Sequence, residues 1–270
     1  MANIFFELKQ ASYSYLGKFP ALRAVDLTIE QGSKVAVIGA NGTGKSTLLS
    51  MLDALIFPDQ GSVKAFGRTL DEKASNDADF SRIFRSRVGL VFQNPDTQLF
   101  CSTVKEDIIF GPLQLRVRNS EVAKRLEKVA TELKLADLLE RSPHQLSIGE
   151  KKKVAIASVL AIQPEVLLLD EPTAGLDPQT TRDIIDILIA ENRSGTTLVT
   201  ATHDLHIVEE ISDTVHIFGL EKRIIHSAPP EKVLSDQQFL QAHNLVHIHR
   251  HRHKDVDASH AHQHDVRHHH

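Results

Sequence analysis

The sequence has a single cysteine, Cys101, in 270 residues. With no second thiol, an internal disulfide is excluded, and with it a disulfide-stapled secreted domain; a reducing compartment is the expectation. No run of about 18 apolar residues occurs, so no segment is expected to cross a bilayer as a helix. The longest apolar runs, such as residues 166–169, have the length of a strand. The first ten residues, MANIFFELKQ, lack the basic-then-apolar order of a signal segment. Positive charge is not in excess either. The formal net charge is −4, which argues against nucleic acid held on a broad basic surface. Internal repeats are absent. Any membrane role would have to come through a partner.

What is present is a chain that is 41% hydrophobic, enough to bury one large core or two modest ones. Residues 4–15 and 22–29 are rich in β-branched and aromatic residues and read as strands. Residues 34–39 form a short apolar run that ends in a glycine-rich loop, followed by a helix over 46–52. Residues 88–92, 166–169 and 196–202 read as buried strands. Helices are expected over 150–162 and 177–192, and across most of 103–147. Strands alternating with helices imply an α/β fold with a mainly parallel sheet. The helical stretch at 103–147 breaks the alternation and reads as an inserted α-subdomain.

The loop Gly39-Ala-Asn41-Gly42-Thr-Gly44-Lys45-Ser46, with Thr47 next, matches GxxxxGK[ST] between a strand and a helix. Its glycines let several N–H groups converge on a phosphate, and the helix adds its positive end. Lys45 would reach the β- and γ-phosphates of ATP, and the Ser46 hydroxyl would hold Mg²⁺. Asp170 and Glu171 close the apolar run at 166–169. A carboxylate at that edge of an open sheet lies beside the phosphate loop. Asp170 would hold Mg²⁺, and Glu171 would act as general base on the attacking water.

Further motifs narrow the class. Leu146-Ser147-Ile148-Gly149-Glu150 resembles the signature segment of ABC (ATP-binding cassette) ATPases. Glu171-Pro-Thr-Ala-Gly-Leu-Asp177-Pro resembles their D-loop, Thr200-Ala-Thr-His203-Asp their switch histidine, and Val91-Phe92-Gln93 their Q-loop, all in the family's order. The resemblance spans about residues 4 to 226. It implies a P-loop NTPase of ABC type, with a RecA-like core, an antiparallel β-subdomain and the inserted helical subdomain. It also implies two cassettes meeting head to tail, each ATP held between one phosphate loop and the other copy's Ser147 and Gly149. In that scheme His203 contacts the γ-phosphate, Gln93 senses Mg²⁺ and water, and Asp177 couples the two sites. Tyr15, or Tyr13 as the second choice, stacks on adenine. Two residues depart from the family pattern: Ile148 stands where Gly is usual, and Glu150 where Gln is usual. Glu150 would repel a phosphate from the other copy unless turned outward.

The stretches 91–100 and 103–112, with Pro229-Pro-Glu231-Lys-Val233, are similar to the ATPases of energy-coupling-factor importers. That similarity implies pairing as a homodimer, or else a heterodimer, at the cytoplasmic face of the cell membrane. It also implies a membrane coupling protein and a membrane subunit that captures a vitamin or a transition metal. Residues 1–242 are expected to form the ATPase, with a short extension at 227–242. Residues 243–270 hold eleven of the sixteen histidines and are expected to be a disordered tail. There His247, His249, His251 and His253 alternate, as do His260, His262 and His264. Such spacing could ligate Ni²⁺ or Co²⁺, though the Irving–Williams order prevents spacing from choosing the metal. The expectation is therefore a nickel or cobalt importer ATPase. The alternatives are a vitamin importer, a soluble ABC ATPase acting on nucleic acid, and a metal-storage protein with a vestigial cassette. The last would not need Glu171 and His203.

Overall fold

A computed structural model describes residues 3–245. The expected metal ligands His247, His249, His251, His253, His260, His262 and His264 lie outside the described residues.

Strands β1 (Ile4–Tyr15) and β2 (Phe19–Glu30) form an antiparallel hairpin. In β2 the buried Val25, Leu27 and Ile29 alternate with exposed Ala24, Asp26, Thr28 and Glu30, the period of a sheet with one covered face. β4 (Gln60–Ala65) pairs with β1, and β5 (Arg68–Thr69) with β4, giving a four-stranded sheet in the order β2-β1-β4-β5.

The second sheet contains β3 (Lys34–Gly39), β6 (Val88–Val91), β7 (Val166–Asp170), β8 (Thr197–Thr202), β9 (Thr214–Phe218) and β10 (Ile224–Ala228). Its order is β10-β9-β3-β8-β7-β6, and only β10 runs antiparallel to its neighbour. Both faces are covered, so β7 and β8 are buried at every position rather than alternating. Val166 and Leu168 of β7 face one core, shared with the antiparallel sheet and α1 (Lys45–Leu52). Leu167 and Leu169 face a second core, packed by α4 (Val104–Gln114), α5 (Asn119–Glu132), α6 (Ile148–Leu160) and α7 (Pro178–Arg193). Successive side chains of one strand thus anchor opposite layers.

Helix starts follow capping chemistry. Thr103 and Glu106 form a capping box on α4, Ser147 and Glu150 one on α6, and Asp177 caps α7, with Pro178 at its first position. The helix expected over 150–162 therefore begins two residues earlier, at the residue after its cap, and the strand expected over 88–92 stops at Val91. Within 103–147, the two helices are followed by short 3-10 turns at Ala136–Leu138 and Pro143–Gln145. Elements without a sequence expectation are β4, β5, α2 (Glu72–Asn76), α3 (Ala78–Arg87), α8 (Leu205–Ile211), β9 and β10. α9 (Pro230–Ser235) and α10 (Gln237–Ala242) follow them. Among the described residues no helix is long and apolar enough to cross a membrane.

Candidate nucleotide site

The sheet register gathers the site. β8 lies between β3 and β7, with Ile38 opposite Thr202 and Asp170 opposite Ala201. The strand ends at Gly39, Thr202 and Asp170 therefore share one edge, where open parallel sheets bind ligands.

The loop from Gly39 to Lys45 bends through Gly42 (φ 77°) and Gly44 (φ 115°). A Cβ on Gly44 would meet the Ala21 carbonyl at 2.4 Å, so only glycine fits there. Lys45 is buried, and its Nζ donates to the carbonyls of Gly39 (2.8 Å) and Ala40 (3.4 Å), 3.9 Å from Glu171 Oε1. Burial lowers its pKa, against the opposing pull of Glu171 and Asp170. Asn41 and Ser46 are exposed, while Thr47 is buried and its Oγ1 lies 3.2 Å from the Tyr15 hydroxyl. Tyr15 is half-exposed beside the loop; Tyr13 packs against the core and meets Tyr15 edge-on at 5.1 Å. Lys222, in the β9–β10 turn, donates to the Gly42 carbonyl.

Asp170 is buried, and its Oδ1 has no hydrogen-bond partner. Burial raises its pKa; the Ser46 hydroxyl opposes the rise and Glu171 adds to it. An orphaned carboxylate oxygen beside a serine hydroxyl and a phosphate loop fits a divalent cation, which would complete its coordination. Glu171 is 5% exposed and has a left-handed backbone (φ 46°), a strain of about 1–3 kcal/mol for a non-glycine residue. The carboxylate is fully engaged. Its Oε1 lies 2.8 Å from His203 Nδ1, and its Oε2 accepts from Thr202 Oγ1 (3.2 Å) and the His203 N–H (3.3 Å). Glu171 and His203 are thus direct partners, a pairing with no local sequence signal.

A second cluster forms elsewhere on the surface. Ser147, Gly149, Glu150 and Asp177 line a hollow of about 400 Å³ between the starts of α6 and α7. Gly149 sits against Thr180, whose Cγ2 would be 3.1 Å from an added Cβ. Asp177 accepts from the Thr180 N–H and hydroxyl. Among the described residues, neither Ser147 nor Asp177 bonds to the phosphate loop. Glu150 does not turn outward. Its Oε2 accepts from the Ser147 N–H (2.8 Å) and Ser147 Oγ (2.9 Å), which hold its carboxyl below the usual range. The capping box decides this orientation, because orphan N–H groups at a helix start attract a carboxylate. Ile148, by contrast, is 64% exposed. Ile148→Gly is therefore expected to leave steady-state ATP hydrolysis within about threefold of the parent, since exposed substitutions cost little. Complete loss in a phosphate-release assay would mean that the side chain packs in an essential contact.

Gln93 is exposed on the loop after β6 and contributes its backbone carbonyl to Lys152 Nζ at 2.7 Å. Two residues here lacked a sequence expectation. Gln98 accepts from the Phe92 N–H and donates to the Ala155 carbonyl of α6. Lys152 is fully buried, and burial lowers its pKa to about 8. A helical reading could have found it: Lys152, Ile156 and Val159 fall on one face of α6.

Comparison with known proteins agrees with this geometry. The family model described as "ABC transporter" matches residues 22–174. The nickel import ATP-binding protein NikO of Rhodobacter capsulatus is 45% identical, over 89% of this chain and 95% of its own. The energy-coupling factor transporter ATP-binding protein EcfA of Methanothermobacter thermautotrophicus is 41% identical, over 88% of this chain and 75% of its own. The solved structure of cbiO1 from Clostridium perfringens, part of the ABC transporter complex cbiONQ, superimposes with a TM-score of 0.76 at 32% identity. It covers 90% of this chain and 95% of that one. A family match over more than half the chain, with such identities over nearly all of it, makes this protein a member of the ABC transporter ATP-binding subunits, which hydrolyse ATP to drive transport.

Proposed function

We propose that the chain energises an importer of energy-coupling-factor type whose cargo is nickel or cobalt ions. The carrying observation is the near full-length likeness to proteins named for nickel import and for an energy-coupling factor. In this reading residues 1–242 are the ATPase, 103–147 its inserted helical subdomain and 227–242 a short C-terminal extension. Residues 243–270 are a tail that buffers metal. The protein works at the cytoplasmic face of the cell membrane, held there by a membrane coupling protein and a substrate-binding membrane subunit.

ATP is bound by Gly39, Asn41, Gly42, Gly44, Lys45, Ser46 and Thr47, with Tyr15 stacking on adenine. The hydrogen bond of Tyr15 to Thr47 supports the choice of Tyr15 over the core-packed Tyr13. Ser46, Asp170 and Gln93 would hold Mg²⁺, which when bound neutralises phosphate charge. Lys45 moves from loop carbonyls to the phosphates. Glu171 takes a proton from the attacking water, and His203 orients Glu171 before contacting the γ-phosphate. The separate cluster of Ser147, Gly149 and Asp177 is half of a site. A second cassette, most simply another copy of this chain, completes it head to tail. Closure then requires the trans phosphate to displace Glu150 from Ser147.

Expressed with its membrane subunits, the chain is expected to support uptake of radiolabelled Ni²⁺ or Co²⁺, and uptake should vanish with Lys45→Ala. Uptake of a vitamin instead would overturn the metal assignment in favour of the vitamin alternative. Calorimetry on the full chain and on residues 1–242 tests the tail: equal metal binding by both would remove its role.

A further inference from the structure

Lysine is almost never fully buried without a carboxylate partner. Lys152 is 1% exposed, and among the described residues no carboxylate lies within ion-pair distance of its Nζ. Its acceptors are three backbone carbonyls: Gln93 at 2.7 Å, Phe92 at 3.2 Å and Glu171 at 3.5 Å. An ammonium has three donors, so the three carbonyls use its full capacity. They come from two segments far apart in sequence, the loop after β6 and the end of β7. The lysine itself belongs to a third element, α6, five residues after Ser147.

The same loop is tied to α6 a second time. Gln98 Oε1 accepts from the Phe92 N–H at 3.1 Å, and its Nε2 donates to the Ala155 carbonyl at 2.8 Å. On the other side, Glu171 has a left-handed backbone that its surroundings must hold in place. Its side chain is fixed by Thr202 and His203, and its N–H donates to Ala201. Lys152 addresses the remaining group, the carbonyl.

We propose that Lys152 is a positioning residue for ATP hydrolysis, locking the Gln93 loop and the Glu171 turn to the helix that begins at Ser147. This rests on the assignment of Glu171 as general base and Gln93 as a sensor made above. The device gives the two half-sites of one chain, which serve different ATPs in the head-to-tail pair, one mechanical frame. A displacement of α6 is felt at the base, and a displacement of the base is felt at Ser147. A lysine that served stability alone would behave differently: its loss, which leaves buried carbonyls without a donor, would lower the melting temperature but not kcat.

The test compares Lys152→Met, Lys152→Gln and Glu171→Gln with the parent in steady-state ATPase assays, with thermal melting as a check on folding. Lys152→Met is expected to lower kcat at least tenfold while KM for ATP stays within threefold. Lys152→Gln, which restores amide donors, should recover at least threefold of that loss. A kcat for Lys152→Met within twofold of the parent, or a loss confined to KM, would overturn the proposal. Should Lys152→Met fail to fold, Lys152→Ala decides, since it also lacks the donors but leaves room for water at the three carbonyls. A kcat reduced threefold or more at unchanged KM supports the lock, and parental kinetics removes it. Glu171→Gln separates the two layers of the argument. If it is silent while Lys152→Met turns over normally, only the lock fails; if it hydrolyses ATP normally, the site assignment fails and takes the lock with it.

Discussion

Glu171→Gln will bind ATP and all but cease to hydrolyse it, with turnover lowered about 10²–10⁴-fold, the usual contribution of a positioned general base. The amide fits the same space. Its oxygen can still accept from Thr202 Oγ1 and the His203 N–H, which now meet Glu171 Oε2, and its NH₂ can face the His203 ring. What disappears is the basic carboxylate. Removing that charge also removes repulsion towards a γ-phosphate in a buried setting, where unlike water the medium screens poorly. The ATP-bound pair of cassettes should accumulate. On gel filtration with ATP and Mg²⁺ the variant should elute as a dimer, and a parallel phosphate-release assay should stay flat. Elution as a monomer, or turnover at the parental rate, would remove Glu171 from the role of base.

The second large effect is on binding itself. Lys45→Ala removes the buried ammonium of the phosphate loop, which donates to the Gly39 and Ala40 carbonyls. Hydrogen bonds to charged groups contribute about 1.5–3 kcal/mol each. Losing those to two phosphates should weaken ATP binding about 10²-fold or more. The two buried carboxylates also lose a counter-charge, since Lys45 opposes the upward shift of the Asp170 pKa. Calorimetric titration with ATP and Mg²⁺ reads this directly. Retention of parental affinity would show that the loop's backbone N–H groups carry the phosphates unaided.

Much of this site is legible because its signals are local. The glycines and lysine of the loop, and the apolar run that ends in Asp170 and Glu171, are each read within ten residues. Their strand–loop–helix and strand-end settings follow from period and length. The pairing of Glu171 with His203 is not local. It follows from β8 lying beside β7, a consequence of topology across 32 residues. Glu150 shows a subtler case. Read as part of a phosphate-facing motif, its charge leaves two outcomes open, repulsion of a trans phosphate or an outward turn. Read as S-x-x-E at a helix start, it predicts the capping box that forms. The helix cap is the local force that sets its orientation, which motif reasoning alone leaves open. The overlooked strands and helices between residues 60 and 87 are short and polar, and β4 and β5 owe their existence to pairing in the sheet of β1. Yet Asp71 and Asp77, the caps of α2 and α3, mark both helix starts. Lys152 escapes notice inside a run of three lysines, because composition suggests a solvated face where the helical period places one of them in the core.

The contacts of Lys45 and Lys222 bear on the kinetics of exchange. Both ammonium groups donate to carbonyls of the loop, at Gly39, Ala40 and Gly42, so the cradle is braced by the protein's own side chains, one in the loop and one in the β9–β10 turn. An incoming triphosphate meets a receptor already in shape and has only to trade partners with a resident cation. The entropic toll of ordering a floppy segment on capture is largely absent. Loading onto an open cassette should therefore be limited by the stripping of water from phosphate oxygens more than by reordering of the phosphate loop.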